Sequence, residues 1–145
     1  MKINQIAIFM ENKPGHLRTI CRTLAEAGVS ITTLSLADTQ QYGILRLLIR
    51  DWEKARDVLT AAGFVANVTE VLAVEVDDKP GGLLRILDII GEYGINIEYM
   101  YAFTFHMGEN AIMVFRFDDP DKAVSTLQAK GVKVLPGLDI FKGES

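Results

Sequence analysis

The sequence predicts an α+β fold of two βαββαβ modules in tandem, residues 1–69 and 70–145. Each module is expected to be an antiparallel sheet with both helices on one face, because right-handed crossovers place them there. Three observations carry this. A Pro-Gly loop recurs at fixed spacing, the strand and helix patterns follow in the same order in both halves, and a glycine stops each helical stripe.

The repeat is direct. Lys13-Pro14-Gly15-His16-Leu17 returns as Lys79-Pro80-Gly81-Gly82-Leu83, an offset of 66 residues. At that offset Ile20 meets Ile86, Glu26 meets Glu92, Gly28 meets Gly94 and Ile31 meets Ile97. Later the offset becomes 68, pairing Lys54-Ala55 with Lys122-Ala123, Leu59 with Leu127 and Gly63 with Gly131. The two extra residues fall where the segment Phe105–Asn110 replaces the shorter turn Gln40–Gly43, and turns are where chains tolerate insertions.

Each module reads the same way. Residues Ile3 to Met10 form a strand rich in Ile, Ala and Phe. Leu17, Ile20, Cys21 and Leu24 make the i, i+3, i+4, i+7 stripe of a helix, which Gly28 ends. Val29–Asp38 and Ile44–Arg50 read as paired strands; Ala55, Val58, Leu59 and Ala62 stripe a second helix; Phe64–Thr69 closes the module. In the second copy the strands are Val71–Asp77, Ile95–Phe105, Ala111–Phe117 and Val132–Leu135. Its helices carry Leu83, Ile86, Leu87 and Ile90, then Asp121–Lys130, and Pro136 after the last strand suits a sheet edge. Thr69-Glu70 is the one linker available, so the copies are expected to move as one body.

Composition bounds the function. Fifteen Lys and Arg against nineteen Asp and Glu give a net charge of -4, which disfavours nucleic-acid binding through clustered cations. Cys21 is the sole cysteine, so no intramolecular disulfide and no thiolate metal site is expected, and Cys21 itself reads as inert core. No apolar run approaches the roughly 18 residues of a membrane span, and Met1–Gln5 lacks a signal-peptide core; a cytoplasmic location is expected. Sequence motifs for a serine nucleophile, a zinc helix, a phosphate loop or a dinucleotide fold are missing. No catalytic residue, metal or cofactor is expected.

The residues Asn12-Lys13-Pro14-Gly15-His16-Leu17 with Gly28-Val29-Ser30-Ile31 resemble the ACT domain signature. So do Asp78-Lys79-Pro80-Gly81-Gly82-Leu83 with Gly94-Ile95-Asn96-Ile97. The resemblance covers nearly the whole chain and implies ferredoxin-like modules that regulate by binding an amino acid between paired domains. It implies ligand contacts at Asn12, Gly15, His16, Leu17, Ser30 and Ile31, and at Asp78, Gly81, Gly82, Leu83, Asn96 and Ile97. Two positions depart from the family pattern: Ser30 stands where Asn is frequent, and Asp78 likewise. The alternative implied is a regulatory subunit docking a biosynthetic enzyme, resembling the small subunit of acetohydroxyacid synthase, although that family has one module where this chain has two.

Physical chemistry reads the same residues compatibly. A loop entering a helix presents unpaired amides and a positive dipole end, a seat for a carboxylate. Glycines let a ligand approach backbone, Asn96 or Ser30 can donate or accept, and Asp78 favours an ammonium. His16 is expected at the ligand and His106 in solvent. Tyr99, Tyr101, Phe103 and Phe105 share one strand face. The phase change at Leu34 and Leu36 suggests a bulge near each second strand's start, which would turn Met100 and Ala102 to the helices and the aromatics away. That strip is expected to pack against another sheet or another copy of the chain, and it is the candidate homodimer surface.

Overall fold

A computed structural model describes residues 1–11, 13–38 and 41–141, with side chains at all of these except 38 and 104–107. The elements run β1 (Ile3–Glu11), α1 (His16–Glu26), β2 (Thr33–Asp38), β3 (Tyr42–Leu48) and α2 (Trp52–Ala61). They continue with β4 (Ala66–Asp77), α3 (Gly82–Glu92), β5 (Ile97–Met107), β6 (Asn110–Phe117), α4 (Pro120–Ala129), β7 (Val134–Leu135) and α5 (Gly137–Ile140). Two compact units result, one of Asn4–Thr69 and one beginning at Glu70 that also takes in Met1–Ile3.

In the first unit β3 pairs antiparallel with both β1 and β2, setting Ile6 opposite Leu47 and Ile8 opposite Leu45. These alternate residues face the helices and bury against Ile20 and Leu24 of α1 and Ala55 and Leu59 of α2. In the second unit β6 lies between β5 and β4, and β7 pairs with β4, every pairing antiparallel. Leu72, Val74, Phe115 and Phe117 pack there under Ile86, Ile90, Ala123 and Leu127. The buried helix residues of the two units match at the offsets read from the sequence, 66 for the first helices and 68 for the second. Each such Ile or Leu side chain contributes about 1.5–3 kcal/mol through burial, so these positions hold the modules together.

The helix ends are alike as well. Val29 donates to the Leu24 carbonyl at 2.9 Å and Ile95 to the Ile90 carbonyl at 3.1 Å, across left-handed Gly28 and Gly94. This six-to-one bond turns the chain sharply off the helix and aims it back along the sheet.

Four expectations change. The strands assigned to Phe64–Thr69 and Val71–Asp77 are one strand, β4, so Thr69-Glu70 is no linker. Two polar residues do not interrupt extended backbone, and Thr69 accepts from the Gln5 amide at 3.1 Å. β2 begins at Thr33, four residues later than Val29, leaving Ser30 and Ile31 outside the strand. The short helix α5 follows Pro136, where the sequence carries no helical stripe to read.

The aromatic strip is the fourth. The register shifts between Ile97 and Tyr99, the expected bulge, and Met100 packs on the helix-side core. Tyr99, Tyr101 and Phe103 therefore face away, but Phe103 is 7% exposed and the two tyrosines are half-buried. Phe103 is thus covered within one chain, while Tyr99 and Tyr101 keep part of their surface exposed. The side chains of Phe105 and His106 lie outside the described residues.

Candidate functional site

Both modules end their first strand in the same hydrogen-bonded loop. Lys13 donates to the Glu11 carbonyl at 2.8 Å and Lys79 to the Asp77 carbonyl at 2.9 Å. The next bonds also match, His16 to Lys13 at 3.3 Å and Gly82 to Lys79 at 3.0 Å. The first helical bonds are Thr19 to Gly15 and Arg85 to Gly81, at 2.9 and 3.1 Å. The amides of Leu17 and Arg18, and of Leu83 and Leu84, thus precede any acceptor their own helix can offer.

Gly15 and Gly81 stand at φ +90° and +84°, the left-handed conformation that reverses the loop into the helix, and neither helix has a side-chain cap. By contrast α4 is capped, Asp119 accepting from the Lys122 amide at 3.1 Å.

The copies diverge in detail. Lys13 is paired with the Glu11 carboxylate and holds it below its usual value of 4.5. Lys79 stands 3.8 Å from the Asp77 carboxylate. A β-carbon on Gly82 would collide with the Asp77 carbonyl oxygen, whereas module one accommodates His16, half-buried, at the matching position.

Beside the second loop lies an open cleft of about 460 Å³. The loop from Asp77 to Pro80 forms its mouth, and Val76, Leu83, Ala111 and Met113 form its apolar wall. A second groove of similar volume runs along the outer face of α3 beside Leu84, Arg85 and Ile89. Among the described residues no group of three or more His, Cys, Asp and Glu side chains is placed to hold a metal ion. Among them, too, no helix is long and apolar enough to cross a membrane.

The structure brings together Gly15, His16 and Leu17, and separately Asp78, Gly81, Gly82 and Leu83. It does not bring the strand starts to them. Ser30, Ile31, Asn96 and Ile97 follow the far ends of helices of eleven residues, which span about 16 Å. The side chains of Ile31 and Ile97 pack into the cores, and the Asn96 backbone N–H donates to the Asp118 carboxylate at 3.0 Å. Asn12 lies outside the described residues. Cys21 is half-buried in α1.

Residues 1–141 match the family model of the ACT domain pair. The chain belongs to that family. The crystal structure of protein BT0572 from Bacteroides thetaiotaomicron superposes with TM-score 0.90 at 33% identity, over 98% of this chain and 97% of that one. The regulatory subunit of aspartate kinase from Thermus thermophilus, ligand-free, superposes with TM-score 0.64 at 18% identity, over 88% and 90%. Its counterpart from Thermus flavus gives 0.62 at 18%, over 87% and 88%, and at this identity the likeness is one of fold. No curated protein sequence matches the chain.

Val76, Ala111 and Met113, which wall the cleft of this ACT domain pair, are absent from the residues that motif reading selects. A signal for them was present. Aligned at 66 and 68, the copies place Val76 against Met10, Ala102 against Leu36 and Ala111 against Gly43. Size changes within a repeated core show where one copy is emptier than the other.

Proposed function

We propose that this ACT domain pair is a regulatory, non-catalytic module that senses a small amino acid at its first strand–helix loops. The observation that carries the reading is the second loop, where Asp78 and Lys79 of opposite charge border a cleft with an apolar wall. A zwitterion carries both charges on one carbon and a side chain beside them, which suits such a mouth and wall. The loops' glycines admit a ligand to the backbone, and the amides of Leu17, Arg18, Leu83 and Leu84 offer donors to a carboxylate.

The proposed contact residues are Gly15, His16 and Leu17 in one loop and Asp78, Gly81, Gly82 and Leu83 in the other. Because the strand starts lie a helix length away from the loop of their own module, Ser30 or Asn96 reaches the same ligand from a second copy of the chain. Binding then tightens that assembly, since a ligand specific to the assembled form stabilises it.

Calorimetric titration with each proteinogenic amino acid tests the reading. Saturable heat for one or a few is expected. No heat and no melting shift for any of them at millimolar concentration would overturn it. Docking of a biosynthetic enzyme such as acetohydroxyacid synthase is the alternative, and stoichiometric recovery of that enzyme with the chain from native extract would favour it.

A further inference from the structure

The two modules share a lattice of strand pairings, so their cores can be compared position by position. Met10 pairs with Gly43 as Val76 pairs with Ala111. Leu36 pairs with Leu45 as Ala102 pairs with Met113. Met10, Leu45, Val76 and Met113 pack on the helix-side cores, while Leu36 and Ala102 are exposed beside them.

What fills the space differs. In module one a β-carbon on Gly43 would stand 3.4 Å from Leu36 Cδ1 and 3.6 Å from Met10 Cγ, so both side chains converge over that glycine. Module two has Ala102 in place of Leu36, an isopropyl group shorter, and Val76 in place of Met10. The open cleft borders Val76, Ala111 and Met113 there.

The loop charges follow the same division. Lys13 is engaged by Glu11, while Lys79 sits at the longer distance of 3.8 Å from Asp77. Module two therefore has an apolar seat and a lysine at its mouth, whereas in module one Met10 and Leu36 converge over Gly43 and Lys13 is held by Glu11.

We infer that module two alone takes the ligand, an α-amino acid with an aliphatic side chain, and that Met10 and Leu36 plug the matching place in module one. The ammonium group lies toward Asp78, the carboxylate toward Lys79, and the aliphatic side chain against Val76, Ala111 and Met113. This rests on the reading of the chain as an amino-acid sensor and assigns its site and selectivity.

Calorimetry with L-valine, L-leucine and L-isoleucine, and with L-glutamate and L-lysine as charged counterparts, tests it on the full chain. One site per chain is expected, filled by an aliphatic probe. Ala102→Leu, at an exposed position, restores module one's residue. It is expected to weaken binding at least about tenfold. The double variant Val76→Met with Ala102→Leu should abolish binding, and if it does not fold the single variant decides. Leu36→Ala in module one is expected to leave affinity within about twofold.

Two equivalent sites per chain, preference for a charged probe, or unchanged affinity in folded Ala102→Leu would overturn the inference while leaving the sensor reading standing. A wild-type chain that binds no amino acid would overturn both.

Discussion

The Asp77 carbonyl oxygen occupies the place of the β-carbon that Gly82 lacks. The end of β4 and the start of α3 are thereby pressed together, and the second loop tolerates no side chain at residue 82. Gly82→Ala forces the strand end and helix apart, an overpacking expected to cost about 1–3 kcal/mol. His16→Ala, at the matched position in module one, removes a half-buried side chain from a loop that already accommodates one, with an expected change within about 1 kcal/mol. Urea unfolding of the two variants checks the contrast, and equal effects would contradict it.

Glu11 and Lys13 form the loop's ion pair in module one. Lys13 lowers the Glu11 pKa below 4.5, the unfolded-like reference. A carboxyl whose pKa is lower when folded stabilises the fold above the reference value, and that contribution fades as pH falls through the folded value. The window is therefore acidic, beneath 4.5. Lys13→Met should return the Glu11 titration to the ordinary range in a side-chain carboxyl NMR titration. An unchanged midpoint would show that Lys13 is not the cause.

Phe103 decides whether the aromatic strip is core or contact surface. At 7% exposure it behaves as core, and Phe103→Ala is expected to cost about 3–5 kcal/mol. The double change Tyr101→Ser with Phe103→Ser should lower the melting temperature strongly whatever the oligomeric state. A changed mass in light scattering with an unchanged melting temperature would instead make the strip a subunit contact.

Asp119 caps α4 by accepting from the Lys122 amide, and Asp119→Ala is expected to cost about 0.5–2 kcal/mol. Asp51 stands at the matching start of α2 without such a bond. Asp51→Ala should therefore cost less, as read by thermal unfolding of both variants.

Much of this was legible because the duplication wrote it twice. Pro14 and Pro80, Gly28 and Gly94, and the stripes of Ile20, Leu24, Ile86 and Ile90 mark helix starts, ends and buried faces by local rules. What stayed hidden depends on contacts distant in sequence. β4 runs through Thr69-Glu70 because backbone pairing is indifferent to that polar pair. Phe103 is buried by cover that no periodicity reveals, and α5 has four residues, too few for a stripe.

The candidate site divides along the same line. Gly81 and Gly82 announce the second loop through their chemistry, whereas Ala111 and Met113 matter through what their neighbours fail to fill. The separation of Gly81 from Asn96 was readable in principle, since the eleven residues of α3 lie between them.

Backbone amide NMR during titration with L-isoleucine tests the central claim most directly, because it reports where a ligand sits. Saturable shifts are expected to be largest at Lys79, Gly81, Gly82 and Leu83 and along Ala111–Met113, with Gly43 and Leu45 of module one little changed. Saturable shifts confined to other surfaces, or none for any amino acid at millimolar concentration, would contradict a ligand seat at the second loop.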